Sequence, residues 1–505
     1  MNLPRRKFLK AGAGSLALLA AGCDQVPHQL RTFFAIDPRR EGPFGAPTKA
    51  AIDPIIHVLN RCGFGSRPGD YERISKLASN EQKAAAAYLE QQLVPEKMDD
   101  EHSDHAARRF ETLSEPLGEL FEYQQDLLQN ELRRATVIRA VLSERQLYEV
   151  MVEFWSDHFN IDPSKGDCKW LKVADDRDVI RKHALGKFPE MLRASALSPA
   201  MLWYLDGRVN RREHMGEKPN ENYSRELLEL HTLGVHGGYT QQDVMEVARC
   251  LSGWTVRSTD HAPYFQIGKV EFHPERHDFG AKTILGHELE AVPAGLKPEE
   301  LIRRGHQELE RVLELATRHP STAQHIATKL CRRFIADQPP SNAVSAVAEV
   351  FTRTTGDIRQ TLRALFATEE FHSERGTKFK RPFQFVVSAL RTTEAQTDAG
   401  LEVVDYLVRM GQVPFGYPTP DGYPEQADPW LGTLLWRWNF ALALSRNRMK
   451  GTRVDFTALR RNAGGDDALM AHVLGRKPSV EEAEAYHDSG EGLALLLASP
   501  AFQRC

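Results

Sequence analysis

The chain predicts a mainly α-helical fold: a large multi-helical domain with a small β-hairpin or irregular insert around residues 263–287. Apolar residues recur at helical spacing along most of the length. Ser, Thr and Pro stand where such stretches begin, and Gly where they stop. Alternating strand patterns are almost absent. "NEQKAAAAYLEQQL" is Ala-rich and built of good helix formers. "ELFEYQQDLLQNELRRATVIRAVLSERQLYEVMVEFWSDHF" keeps helical spacing with one break near Ser143, where Ser143 and Gln146 read as a capping box that restarts the helix. Leu147, Met151, Phe154 and His158 then share one stripe. In "TQQDVMEVARCLSGW", Thr240 and Asp243 form a capping box, Val244, Val247, Ala248 and Leu251 the buried stripe, and Gly253 the stop.

The strand signal is confined to "YFQIGKVEFHPERHDFGAKTILG". Helical period returns over residues 298–334 and 343–369. "VPFGYPTPDGYPEQADP" is a Pro-, Gly- and Tyr-rich loop, longer than most connections in compact domains and so functional or disordered. An apolar helix, "WLGTLLWRWNFALAL", and two or three small helices complete the chain. Residues 50–505 form the body, with a subdivision allowed near 290–340.

Residues 1–22 are a targeting segment. Arg5, Arg6 and Lys7 precede a mild Ala/Gly-rich apolar run too short to span a bilayer. "RRKFLK" looks like a twin-arginine export signal, read by the twin-arginine translocase. "LLAAGC" resembles a lipobox, making Cys23 the lipidated first residue of the mature chain. A plain cleaved signal with an incidental cysteine is the alternative. Asp24 resembles an inner-membrane retention signal, which places the protein on the periplasmic side of that membrane, or soluble in the periplasm if Cys23 carries no lipid. Residues 23–49 form a polar, flexible tether. The remaining cysteines are scattered, without a CxxC pair, and read as buried small apolar residues.

A net charge of −4 offers no polybasic surface, which excludes nucleic acid as a partner. No GxSxG, Walker loop or GxGxxG occurs, which disfavours serine hydrolases, P-loop enzymes and dinucleotide oxidoreductases. "NYSRELLELHTLG" is the densest polar stretch. On an α-helical wheel Asn222, Arg225, Glu226 and Glu229 share one arc, and His231 lies among leucines on the other side. The arc is either a solvated face of i,i+4 pairs or a buried polar network at a cleft, with Arg225 able to tie neighbouring helix ends together. The same stretch cannot hold a metal alone. His158 and His231, both on apolar faces, could converge with His277 and Asp278 from the insert on one divalent metal, zinc, iron or manganese. The simpler reading is core histidines satisfied by a backbone carbonyl. Lys282 with Gly280 and Gly286 suits an anion cradle or a hairpin turn equally. Lys329, Arg332 and Arg333 form a basic helix turn facing either solvent or the acidic arc.

"HVLNRCGFG", "FWSDHFN", "NYSRELLELHTLGV", "YTQQDVMEVARCLSGW", "HDFGAKTILG", "HPSTAQHIATKLCRRFIAD" and "GYP…W…RWNFAL", in that order, resemble the bacterial family catalogued as domain of unknown function 1800. The resemblance implies an exported protein of no agreed activity and pulls the polar arc toward a functional reading. It also implies a co-exported sulfatase- or phosphatase-like neighbour. "GYPTPDGYPEQADPW" departs from the shorter Gly-Trp-Pro turn of many such proteins. Two functions stay open: a lipid-anchored, metal-dependent periplasmic enzyme, or a non-enzymatic accessory protein that binds such a neighbour or an envelope polymer.

Overall fold

The structure is a computed structural model that describes residues 42–212, 214, 218–258 and 263–505. The export signal Arg5–Arg6 and Cys23 lie outside the described residues. Helices dominate, as the periodicity predicts. The break near Ser143 separates helices Gln125–Leu142 and Gln146–His158. The capping box expected there is replaced by different bonds. The Ser143 hydroxyl accepts from Arg145 N at 2.9 Å, and Gln146 Nε2 donates back to the Ser143 carbonyl at 2.8 Å. Ser143 is held from outside the helix by Asp100, at 2.7 Å. The Thr240–Asp243 box does cap helix Gln241–Cys250.

At the centre lies helix Pro382–Thr392, buried along its whole length. A helix apolar on most sides has no solvent face to present and is covered by others: Gln125–Leu142, Leu401–Arg409 and Leu434–Ser445 pack on it. The main apolar cluster runs without interruption from Phe44 to Phe502. Arg61 clamps distant segments by donating to the carbonyls of Phe334, Ile335, Glu374 and Cys505. Four short helices, Phe456–Ala463, Asp466–Leu474, Val480–Asp488 and Gly492–Ala498, follow the apolar helix, more than the two or three expected.

The β insert is two separate antiparallel pairs. Trp254–Val256 pairs with Val270–Phe272, and Lys282–Ile284 with His287–Leu289. Leu285 and Gly286, both at positive φ, make the two-residue turn of the second pair, so the hairpin reading of Gly286 holds. A third pair, Gln396–Thr397 with Thr452–Arg453, is too short to leave an alternating pattern. The five described cysteines are buried and free. No helix among the described residues is long and apolar enough to cross a membrane.

The stretch 222–234 is not one α-helix. Helix Asn222–Glu226 passes into a π-helical turn, Leu227–His231. The Thr232 hydroxyl donates to the Leu227 carbonyl at 2.6 Å, five residues back, which suits the wider winding.

Candidate functional site

Spacing of four puts Glu149, Glu153 and Asp157 along one edge of helix Gln146–His158. Each carboxylate meets an arginine from a distant element. Arg181, on the π-helical turn Asp176–Arg181, binds Glu149 at 3.0 Å and Asp176 at 2.9 Å. Arg381, just before the central helix, donates to Glu153 at 2.8 Å and to Asp157 at 2.9 Å. Arg333, in the last turn of helix Pro320–Phe334, donates to Glu153 at 2.8 Å. Glu425, from the Pro/Gly/Tyr loop, lies 3.3 Å from Arg381 and 3.5 Å from Arg333. The two arginines are 1% and 3% exposed. Taking such charges out of water costs several kcal/mol each unless they are paired, so the network holds four chain segments in fixed positions.

A small cleft opens beside it. Phe64, Val152, Phe383, Phe415 and Tyr423 form apolar walls, and Glu153, Ser156, Asp157 and Asn160 supply polar atoms. Asp157 keeps 18% of its side chain accessible. Burial pushes its pKa up to about 7, and the charges of Glu153 and Glu425 add to the effect of burial against the pull of Arg381. Burial also raises Glu425, but Arg381, Arg333 and Lys378 outweigh it and hold that carboxyl at about 2. Environments that separate two neighbouring carboxyls in this way divide proton-carrying from charge-holding roles. Ser156 Oγ is buried with no hydrogen-bond partner among the described residues.

The long loop is docked on this helix end. Asn160 Nδ2 donates to the carbonyls of Tyr417 and Thr419 at 2.9 and 2.7 Å, and the Tyr204 hydroxyl donates to Pro418 O at 2.8 Å. Gly422 sits at φ +73°, and a Cβ there would stand 2.0 Å from the Asp157 carbonyl oxygen. Only glycine allows that approach.

Behind Asp157, His158 and His231 do meet, their rings 6.1 Å apart, and His325 joins them at 6.2 Å from His158. His158 Nε2 donates to the His231 carbonyl and His325 Nε2 to the Leu230 carbonyl, both at 3.1 Å. The last carbonyls of a helix lack intrahelical donors, and these imidazoles supply them. Gly234 lets His325 in: a Cβ at that residue would lie 2.9 Å from its Nδ1. His158 Nδ1 and both nitrogens of His231 have no partner among the described residues. Burial, reinforced by the Lys329 charge, lowers His231 to about 3, His325 to about 4, and His158 well below its ordinary value. Lys329 is itself lowered to about 8 by burial, against the pull of Asp157 and Glu425.

His277 and Asp278 lie in a different cluster. The rings that surround His158 are Phe154, Trp155, Phe159, Phe188, His231 and His325. His277 instead bonds the Ser252 carbonyl at 2.8 Å and Glu308 at 3.2 Å, and Lys282 also binds Glu308, at 2.7 Å. Asp278 is held by Arg249 at 2.8 Å and Arg212 at 2.6 Å, and the Arg249 bond, the Gly280 N–H and the Lys282 charge keep its carboxyl far below the usual range despite burial. The four residues expected to share one metal are thus split into two pairs by the packing of the insert. Among the described residues no three His, Cys, Asp or Glu side chains are placed to hold a metal ion.

The polar arc is a helix-end tie. Arg225 donates to Glu221 at 3.0 Å and to Gln241 at 2.8 Å, joining its helix to the start of Gln241–Cys250. Asn222 donates to Asp206 at 3.3 Å, and Glu226 is raised by burial and by Glu229. The basic turn does not meet this arc: Arg333 joins Glu153, and Arg332 donates to the Asp337 carbonyl at 3.2 Å. Sequence reasoning passed over Glu153, Asp157, Arg381, Glu425 and His325. Asp157 stood inside "FWSDHFN" and His325 inside "HPSTAQHIATKLCRRFIAD", both already singled out, whereas Arg381 carried no local signal.

The family model described as "Protein of unknown function (DUF1800)" matches residues 57–504. No curated protein and no solved structure matches the chain. The matched span takes in every residue of the cleft, the arginine network and the histidine group, and the chain belongs to the DUF1800 family.

Proposed function

We propose that this is an exported, lipid-anchored protein of the periplasmic face of the inner membrane, and that it is an enzyme whose cleft beside Asp157 binds a small ligand and moves a proton on it. One observation supports the catalytic part. Asp157 is a carboxyl poised near neutrality, open to a largely apolar cleft, and oriented by an arginine that its neighbours share. A general acid or base works best with a pKa near the working pH. The donor set expected for a metal is split between two clusters, so acid–base chemistry is the better-supported reading.

The test is a thermal-shift screen of the mature chain against envelope glycans, peptides and lipid headgroups, followed by turnover of any hit. Turnover that follows a group near pH 7 and disappears in Asp157→Asn, with binding retained, supports the enzyme. A ligand that binds without turnover, or turnover untouched in that variant, sinks it and favours the accessory role. Stoichiometric metal lost in His231→Ala would restore the metal-dependent reading. Fractionation of Arg5→Lys/Arg6→Lys and Cys23→Ala chains tests export and anchoring.

A further inference from the structure

Three carboxylates, Glu149, Glu153 and Asp157, line the cleft. Four aromatic rings, Phe64, Phe383, Phe415 and Tyr423, stand with them. Among the described residues no Lys, Arg or His side chain lines it. The cations behind the wall are already shared. Arg181 serves both Glu149 and Asp176. Arg333 and Arg381 serve Glu153, Asp157 and Glu425. Two guanidinium charges thus meet three carboxyls, and Asp157 is the odd one: its single ion-pair partner among the described residues, Arg381, is also bound by Glu153 and Glu425. Other cations nearby are held elsewhere. Lys172, over the Phe415 ring at 5.3 Å, is paired with Asp175 at 2.7 Å. Arg133 donates to the Pro414 carbonyl at 3.2 Å. Lys329, whose charge reaches Asp157 and Glu425, makes an ion pair with neither among the described residues.

Two polar side chains of the wall also lack partners. Ser156 is 9% exposed, and its Oγ is buried without a hydrogen bond among the described residues. Gln412 is 3% exposed; its Oε1 accepts from Phe383 N at 2.9 Å, and its Nε2 makes no bond among the described residues. A buried hydroxyl without a partner is costly, and a donor brought into the cleft would satisfy Ser156. An anion would meet carboxylates and no cation here. A strongly hydrated neutral molecule would lose water to apolar walls. A cation gains from the carboxylates and from the aromatic faces together, the more so out of water.

We propose that the cleft binds a small organic amine as its ammonium ion, the positive head against Asp157 and Ser156 and the carbon stem against the aromatic walls. This names the ligand class of the site proposed above and rests on that reading of the cleft. Binding then displaces a proton. Burial and the charges of Glu153 and Glu425 keep Asp157 protonated up to about pH 7, and an ammonium ion beside it favours the carboxylate. Arg381, Lys329 and Tyr423 are the other titratable groups that face it. The carboxylate so formed is the base that the proposed proton transfer needs.

The experiment is calorimetric titration of the purified protein with n-butylammonium chloride, in two buffers of different ionisation enthalpy, at pH 6 and pH 8. Butanol and sodium butyrate serve as uncharged and anionic probes of the same length. Butylammonium is expected to bind better than either. It should release close to one proton per site at pH 6 and little at pH 8, and bind about tenfold tighter at pH 8, as linkage to a group near pH 7 requires. Asp157→Asn, which keeps the shape of the neutral carboxyl, should abolish proton release and weaken binding at pH 8 at least about tenfold. Phe415→Leu, which keeps an apolar wall without a ring, should weaken butylammonium about threefold or more and leave butanol unchanged. Butylammonium that binds no better than butanol, a preference for butyrate, binding without proton release, or release that persists in Asp157→Asn overturns the proposal. Turnover of an uncharged substrate that needs Asp157, with no amine binding, overturns the amine class and leaves the enzyme reading standing.

Discussion

Two buried charge clusters sit on this scaffold, and they are finished differently. Around Glu308, His277, Lys282 and Asp278 every charged group meets an opposite charge or a carbonyl, and the result pins the β insert to helices Gln241–Cys250 and Pro298–Arg318. Around Arg381 the ions are paired too, but the cluster opens on a cleft. Beside it stand Ser156 Oγ, His158 Nδ1 and both nitrogens of His231, buried and without partners among the described residues. A buried polar atom left unpaired costs about 1–3 kcal/mol. The first cluster satisfies its own groups and behaves as a fastener, whereas the second leaves Ser156 Oγ unpaired in the wall of the cleft.

Breaking each cluster separates the two roles. Arg381→Met leaves Glu153, Asp157 and Glu425 facing one another in a buried site. It should cost about 3–5 kcal/mol in denaturant unfolding and abolish ligand binding at the cleft. Lys282→Met should cost about 2–4 kcal/mol, because Glu308 loses its ammonium, while any cleft ligand binds unchanged. Loss of cleft binding in that variant would show that the insert shapes the site.

The pH dependence sharpens the contrast. His231 and His325 are neutral when folded, with values near 3 and 4. Below about pH 6.5 the unfolded chain takes up protons that the native histidines refuse, so their contribution is present above that pH and falls away toward pH 4, by up to on the order of 3 kcal/mol each. Asp157 has the opposite sign. Its folded value of about 7 lies above the unfolded carboxyl, so its contribution is full below about pH 4 and is lost as pH rises through 7. Asp157→Asn should therefore steepen the loss of melting temperature on acidification from pH 7 to 4. An unchanged slope would contradict the neutral carboxyl. The smallest effect is expected at the polar arc: Arg225→Ala removes partly exposed bonds and should change stability by no more than about 1 kcal/mol in the same unfolding assay.

Local signals were legible where local physics decides. Helical spacing and the Thr240–Asp243 box follow from interactions within a few residues, whereas the break near Ser143, legible as a break, is also held by Asp100 from 43 residues away. The π-turn at Leu227–His231 was not legible, because a wheel assumes even winding and the Thr232 bond to Leu227 alters it. His158 and His231 come close because both lie on apolar faces that enter one core. His277 bonds Ser252 and Glu308 instead, since nothing in a sequence says to which helices an insert will fasten.

The sequence by itself determined the helical class, the burial of the cysteines and the family. All of these depend on spacing and side-chain type along the chain. Only the tertiary structure decided which charges meet. Arg381 reaches Asp157 across 224 residues and Arg333 reaches Glu425 across 92. Such pairs form because desolvated ions need partners wherever packing leaves them, and packing is a property of the whole fold rather than of any stretch of sequence.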